Sequence, residues 1–275
     1  MVFVKKIAFI GAGSMAEAVM SGIINKQFIK NKQIWVTNKD NEQRLIEMEE
    51  KYGVSISRKK EEVLKNADII ILSTKPYDVE SAIESIIPYL TKNQIVMSVI
   101  AGVSTTQIAE AIGKDIPVIR AMPNTSASIG YSATAITKGE FASEEDLKIA
   151  KQLFEAIGTV NIVKEEEMHI VTGISGSGPA YIYYLVEAME EAAIKEGLDI
   201  VTAKELITQT IIGAGMMLKT SELPVDNLRK NVTSPNGTTE AGLDVLEERN
   251  FKESMIACVS SATNRSKELG KKETK

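Results

Sequence analysis

The chain has 275 residues, 44% of them hydrophobic and 25% charged, which is length for two modest domains and enough apolar matter to bury their cores. A net charge of -5, with lysines and glutamates interspersed, excludes binding of nucleic acid or an anionic membrane through a basic field. The single cysteine, Cys258, rules out an internal disulfide and a thiolate metal cluster and fits a reducing cytoplasm. The single histidine, His169, rules out chemistry that needs two imidazoles, and both residues read as ordinary members of helices.

In chain order, "KKIAFI" (5 to 10) is a short apolar run that meets Gly11 and Gly13 without a small-residue cleavage site, so it reads as a strand rather than a signal peptide. No later stretch approaches the roughly 18 apolar residues of a membrane span, and a soluble protein is expected. Next comes "GAGSMA" (11 to 16), a G-x-G-x-x-A turn opening a helical pattern. Gly11 serves the tight turn, Gly13 lets the backbone approach a pyrophosphate, and Ala16 packs helix on strand. The amides of Gly11, Ala12, Gly13, Ser14, Met15 and Ala16, at the positive end of a helix, form a dinucleotide site.

The second strand, "QIWVTN" (33 to 38), ends in Thr37-Asn38-Lys39. A carboxylate there would select NADH through the ribose hydroxyl; Asn38 and Lys39 instead favour NADPH over NADH, although Asp40 stands close by. Further strands are expected at "ADIIILST" (67 to 74), "QIVMSVI" (94 to 100), "PVIRAM" (117 to 122), "YSATAIT" (131 to 137) and "NIVK" (161 to 164), with helical patterns such as "QRLIEMEEKY" among them. Alternation of this kind predicts an α/β domain over residues 1–164, with a doubly wound, mostly parallel sheet. Two loops, "STKP" (73 to 76) and "RAMPNT" (120 to 125), follow strands at the carboxyl edge where ligands bind in this architecture. Together with the glycine loop, both would line one cleft.

After residue 164 strand alternation stops, and apolar residues recur at helical spacing through "AYIYYLVEAMEEAAIKEG", "AKELITQTIIGAGMMLKT" and "KESMIACVSSATNRSKEL". An all-helical domain is therefore expected over 165–275. Segment 205–219 is apolar on nearly all sides, which places it inside a bundle or against a second subunit. The closing "GKKETK" reads as a frayed tail.

Two loops in this half are anomalous: "SGSGPAY" (175 to 181) and "TSPNGTTEAGL" (233 to 243). One helix needs one cap, worth about 1 kcal/mol. That leaves Ser234, Thr238 and Thr239, with Gly237 among them, unexplained. Hydroxyls and amides gathered at a positive helix end suit a small carboxylate. Neither loop holds the His, Lys or Tyr that a carbonyl reductase uses to protonate an alkoxide. A cyclic imine dispenses with that donor, because its nitrogen arrives protonated and a threonine hydroxyl nearby suffices.

The order "GAGSMA", "STKP", "RAMPNT", "SGSGPAY", "TSPNGTTEAGL" resembles pyrroline-5-carboxylate reductase over nearly the whole chain. The resemblance implies reduction of 1-pyrroline-5-carboxylate to L-proline with NAD(P)H, on a Rossmann-like domain followed by a helical domain that interlocks in a homodimer, often within a decamer of five dimers. It implies that Thr239 donates to the imine nitrogen as the catalytic residue, and that Ser234, Gly237 and Thr238 hold the carboxylate, largely through main-chain amides. It also implies that Gly11 to Ala16, Asn38, Thr74, Lys75 and Pro76 bind the cofactor, with Met122, Pro123 and Asn124 near the nicotinamide. Three positions depart from the commonest family pattern: Asn236 replaces a glycine, Ser126 a proline and Lys39 an arginine. A β-hydroxyacid dehydrogenase or imine reductase shares the glycine loop, but those dehydrogenases need a lysine one turn into the helix that follows "SGSGPAY", and none is there. A non-catalytic nucleotide-sensing regulator would carry a degraded Thr238-Thr239 loop, and this one is intact.

Overall fold

The central strands form because their sequences are apolar on both faces: β1 (Ile7–Ile10), β4 (Ile69–Leu72) and β5 (Ile95–Ser98) are buried at every position. The computed structural model describes residues 4–270, so residues 271–275 of the expected tail lie outside the described residues. With β2 (Ile34–Thr37), β3 (Ser55–Ile56), β6 (Val118–Met122), β7 (Ser132–Lys138) and β8 (Gly158–Ile162), they make one sheet of 8 strands in the order β3-β2-β1-β4-β5-β6-β7-β8. Every pairing is parallel except β6 with β7.

Side-chain alternation sends Ile7 and Phe9 of β1 to one face and Ala8 and Ile10 to the other. The first face packs on α1 (Ser14–Asn25), α2 (Glu42–Tyr52) and α6 (Glu144–Glu155), through Val19, Leu45 and Phe154 among others. The second packs on α3 (Lys60–Leu64), α4 (Val79–Glu84) and α5 (Thr105–Ile112), through Val63, Ile83 and Ile108. Local signals set the ends. Asn41 caps α2, and Ser104 with Gln107 and Ser143 with Asp146 form capping boxes on α5 and α6. The sheet is thus doubly wound, as the alternation of strand and helix implies.

Two strands differ from expectation. The two-residue β3 carries too short a pattern to stand out. The last strand starts at Gly158 rather than in "NIVK", because a Cβ there would lie 2.0 Å from the Ser132 carbonyl oxygen. Glycine allows that close approach to β7, and strand propensity does not reveal it.

Beyond β8 every element among the described residues is helical: a 3-10 turn (Glu165–Glu167), α7 (Met168–Val171), a π-helical turn (Thr172–Gly176), α8 (Gly178–Lys195), α9 (Ile200–Thr220), α10 (Val225–Asn231), α11 (Thr238–Glu248) and α12 (Phe251–Leu269). Compactness divides the chain elsewhere: one unit holds residues up to Pro179 and again from Ser260, and the second holds Ala180–Val259. The change of secondary structure near residue 164 and the division between compact units are therefore separate boundaries.

Within the first unit, His169 on α7 lies 3.0 Å from the Ser266 hydroxyl, and burial, then the Arg120 and Lys267 charges, lower its pKa. The second unit has almost no interior, since Ala203 and Ile207 are its only buried residues. Segment 205–219 does not lie inside a bundle of this chain: Leu206, Ile212, Met217 and Leu218 are all more than half exposed. Cys258 on α12 is half-buried.

Candidate functional site

The strand order places β1 between β2 and β4, so connections leave β1 in opposite directions and open a crevice at the carboxyl ends of β1 and β4. Gly11 sits there with φ +114, and a Cβ on it would lie 2.6 Å from the Ser73 carbonyl oxygen. Its amide donates to the Thr37 carbonyl at 2.8 Å, and the Ser73 hydroxyl bonds the Gly11 carbonyl at 3.1 Å. The glycine loop and the "STKP" loop are thus joined. Gly13, by contrast, would find nothing within 4 Å of its Cβ. The protein's own packing demands glycine at 11 but not at 13, so the open space over Gly13 is where a ligand can approach the backbone. Gly13 caps α1 without a side-chain bond, leaving the first amides of the helix for an anion, and Ala16 is buried where helix meets strand.

Other features of this edge fit a dinucleotide. Among the described residues, the Thr74 and Thr37 hydroxyls beside this crevice are buried without a hydrogen-bond partner, a costly condition in a folded chain. Lys75 and Pro76 lead into a short 3-10 turn (Pro76–Asp78). Asn38 is held by reciprocal bonds with Asn41, 2.6 Å to its carbonyl and 3.2 Å from its amide, so a hydrogen-bonded turn encloses Lys39 and Asp40. Met122, Pro123 and Asn124 are buried at the end of β6. The Asn124 side chain donates to the Ser175 carbonyl at 3.0 Å and accepts from the Ser126 amide at 3.1 Å. "RAMPNT" is therefore tied to the start of "SGSG". Ser126 supplies to this contact a backbone N–H that a proline would lack.

Sequence reasoning missed two supports. Arg44, on the first turn of α2, donates from Nε to the Ala12 carbonyl at 3.0 Å and from its other nitrogens to Glu17 and Glu47. Glu17 also accepts from Lys51 at 2.9 Å and Tyr52 at 2.7 Å. Lys51 foremost, with Tyr52 and Arg44, holds the Glu17 carboxyl down to about 2 although burial opposes them. The network removes a negative charge's influence from the anion site and fixes the glycine loop. Since the pKa is depressed on folding, this stabilisation is complete above the ordinary value of 4.5 and is lost as pH falls toward about 2. Glu17→Gln should cost about 1 kcal/mol at neutral pH, with wild type and variant converging toward pH 2 in denaturant melts. A constant gap would remove Glu17 from the acid response.

The second support is Arg120 on β6, fully buried, whose Nη1 donates to Glu165 at 2.5 Å while the Thr105 hydroxyl donates to the same carboxylate at 2.8 Å. It anchors the chain that leads to Met122. Contacts of this kind join residues far apart in sequence and leave no local pattern.

The second unit gathers the hydroxyl loop. The Gly237 amide donates to the Ser234 carbonyl at 2.9 Å, and a Cβ on Gly237 would lie 2.8 Å from that oxygen. Asn236 takes φ 56, the left-handed conformation asparagine tolerates, so the loop makes its turn without a glycine at this position. Glu240 reaches back to the Asn236 amide at 2.6 Å. Gly237 is the N-cap of α11 and offers no side chain. Among the described residues the Ser234, Thr238 and Thr239 hydroxyls make no hydrogen bond, so none is a cap. The α8 helix carries its only lysine, Lys195, in the last turn.

The chain as a whole is similar to known proteins. The chain is 48% identical to pyrroline-5-carboxylate reductase 2 of Bacillus subtilis over 96% of its length and 95% of the relative. It belongs to the pyrroline-5-carboxylate reductase family. A relative so named in Staphylococcus saprophyticus is 40% identical over 96% of this chain and 97% of its own. The family model for pyrroline-5-carboxylate reductase dimerisation matches residues 165–269, and that for NADP oxidoreductase, coenzyme F420-dependent, matches residues 6–102. Among solved structures, the Plasmodium falciparum pyrroline carboxylate reductase with NADP bound superposes with a TM-score of 0.88 at 31% identity, covering 97% of this chain and 98% of that one. The reductase of Coxiella burnetii gives a TM-score of 0.88 at 37% identity, covering 98% of this chain and all of the other. No helix among the described residues is long and apolar enough to cross a membrane.

Proposed function

We propose that the chain reduces 1-pyrroline-5-carboxylate to L-proline with NAD(P)H, the last step of proline synthesis, preferring NADPH and working in the cytoplasm. The observation that carries this reading is the start of α11, where three hydroxyls and the first helical amides are left without protein partners on a loop stiffened by Pro235. The amides around Gly237 and Thr238, with the Ser234 hydroxyl, hold the substrate carboxylate. Thr239 faces the ring nitrogen: its oxygen accepts from the iminium N–H, and its hydroxyl donates once the nitrogen carries a lone pair. When bound, the reduced nicotinamide supplies the hydride. Residues 11–16, Asn38, Lys39, 74–76 and 122–124 bind the cofactor. The iminium carbon takes the hydride and the C=N double bond becomes a single bond, so a cation becomes a neutral amine and no strong acid is needed.

Lysine's absence from the early turns of α8 opposes a β-hydroxyacid dehydrogenase. Residues 165–275 would serve as the substrate-binding and dimerisation part and residues 1–164 as the dinucleotide-binding part. Exposed Leu206, Ile212, Met217 and Leu218 support a homodimer, which the family habit extends to a decamer. Purified protein with NADPH and 1-pyrroline-5-carboxylate should consume one cofactor per proline formed. If NADPH persists while the substrate is present in excess, the reading is wrong.

A further inference from the structure

The Lys39 ammonium stands 3.6 Å from a carboxylate oxygen of Asp78, joining the loop after β2 to the turn after β4. The lysine side chain is 75% exposed and the aspartate 33%, so the pair lies at the surface of the crevice and can exchange partners. In this fold the adenosine ribose lies beside the end of the second strand, where Asn38 and Lys39 are. A 2'-phosphate placed near Lys39 must therefore take the ammonium from Asp78 and accept a carboxylate as its neighbour. A plain 2'-hydroxyl meets neither cost, and a carboxylate is a suitable acceptor for it.

We infer that Asp78 is a specificity-determining residue that offsets Lys39, holding the preference for NADPH below what the lysine alone would give. The inference rests on the cofactor reading above and deepens it. Solvent screens charges at the surface of the crevice, so the expected effect is a several-fold change and not a reversal. Asp40, also in the loop after β2, adds a second negative charge, but no ion pair joins it to Lys39 among the described residues.

The test is calorimetric titration of the whole protein with NADP+ and NAD+ separately, for the wild type, Asp78→Asn, Lys39→Ala and the double variant. Asp78→Asn should tighten NADP+ about two- to fivefold, leave NAD+ equal or weaker, and lose part of the gain in high salt. Lys39→Ala should weaken NADP+ and spare NAD+. In the double variant NADP+ should still bind more tightly than in Lys39→Ala, because the carboxylate repels the phosphate directly. Asp78→Asn changing both dinucleotides equally, or neither, would overturn the role of Asp78 while leaving the cofactor site standing. Failure of the wild type to bind either dinucleotide would overturn both.

Discussion

Thr239→Ala should lower turnover of 1-pyrroline-5-carboxylate about a hundredfold while leaving NADPH affinity unchanged. The Thr239 hydroxyl lies on the first turn of α11 and is not used as a cap, so its removal costs the fold little. What is lost is the group that orients the iminium N–H and steadies the amine as charge leaves the nitrogen. Thr239→Ser, which keeps the oxygen, should recover most of the rate. Steady-state kinetics paired with calorimetric NADPH titration separates the two effects. Turnover within twofold of wild type for Thr239→Ala would eliminate the hydroxyl from the reaction.

Gly11→Ala and Gly13→Ala should part company. At position 11 a Cβ meets the Ser73 carbonyl at 2.6 Å in a backbone with φ +114, so the variant should lose about 1–3 kcal/mol of stability as well as dinucleotide binding. At position 13 a Cβ meets nothing, so the protein should melt as the wild type does yet bind the cofactor tenfold or more weakly. Thermal melts with and without NADPH read both quantities. Equal binding by Gly13→Ala and wild type would mean that the pyrophosphate does not approach the backbone there.

Much of the first unit was legible in the sequence because its signals are local. "ADIIILST" and "QIVMSVI" announce strands buried on both faces, and Gly11, Gly13 and Ala16 stand in their expected turn. The edge strands β3 and β8 were harder, since one is two residues long and the other begins with a glycine whose reason is a neighbour at Ser132. Of the candidate residues, 11–16, 74–76 and 122–124 follow the carboxyl ends of strands on one sheet edge, and 234–239 lie at the start of α11. Local pattern did not reveal that Arg44 would hold Ala12, that Arg120 would anchor Glu165, or that Lys39 would turn to Asp78. These are long side chains reaching partners fixed only by the fold. The reading of α11 as needing one hydroxyl cap was also too generous, since Gly237 occupies the cap and leaves all three hydroxyls unused.

The scarcity of buried residues between Ala180 and Val259 has a thermodynamic corollary. A segment whose interior amounts to Ala203 and Ile207 is expected to draw much of its cohesion from a second subunit, which would make its unfolding depend on concentration. Its melting temperature should climb with the amount of protein in the cell or cuvette, and dilution alone should act on it as a denaturant does.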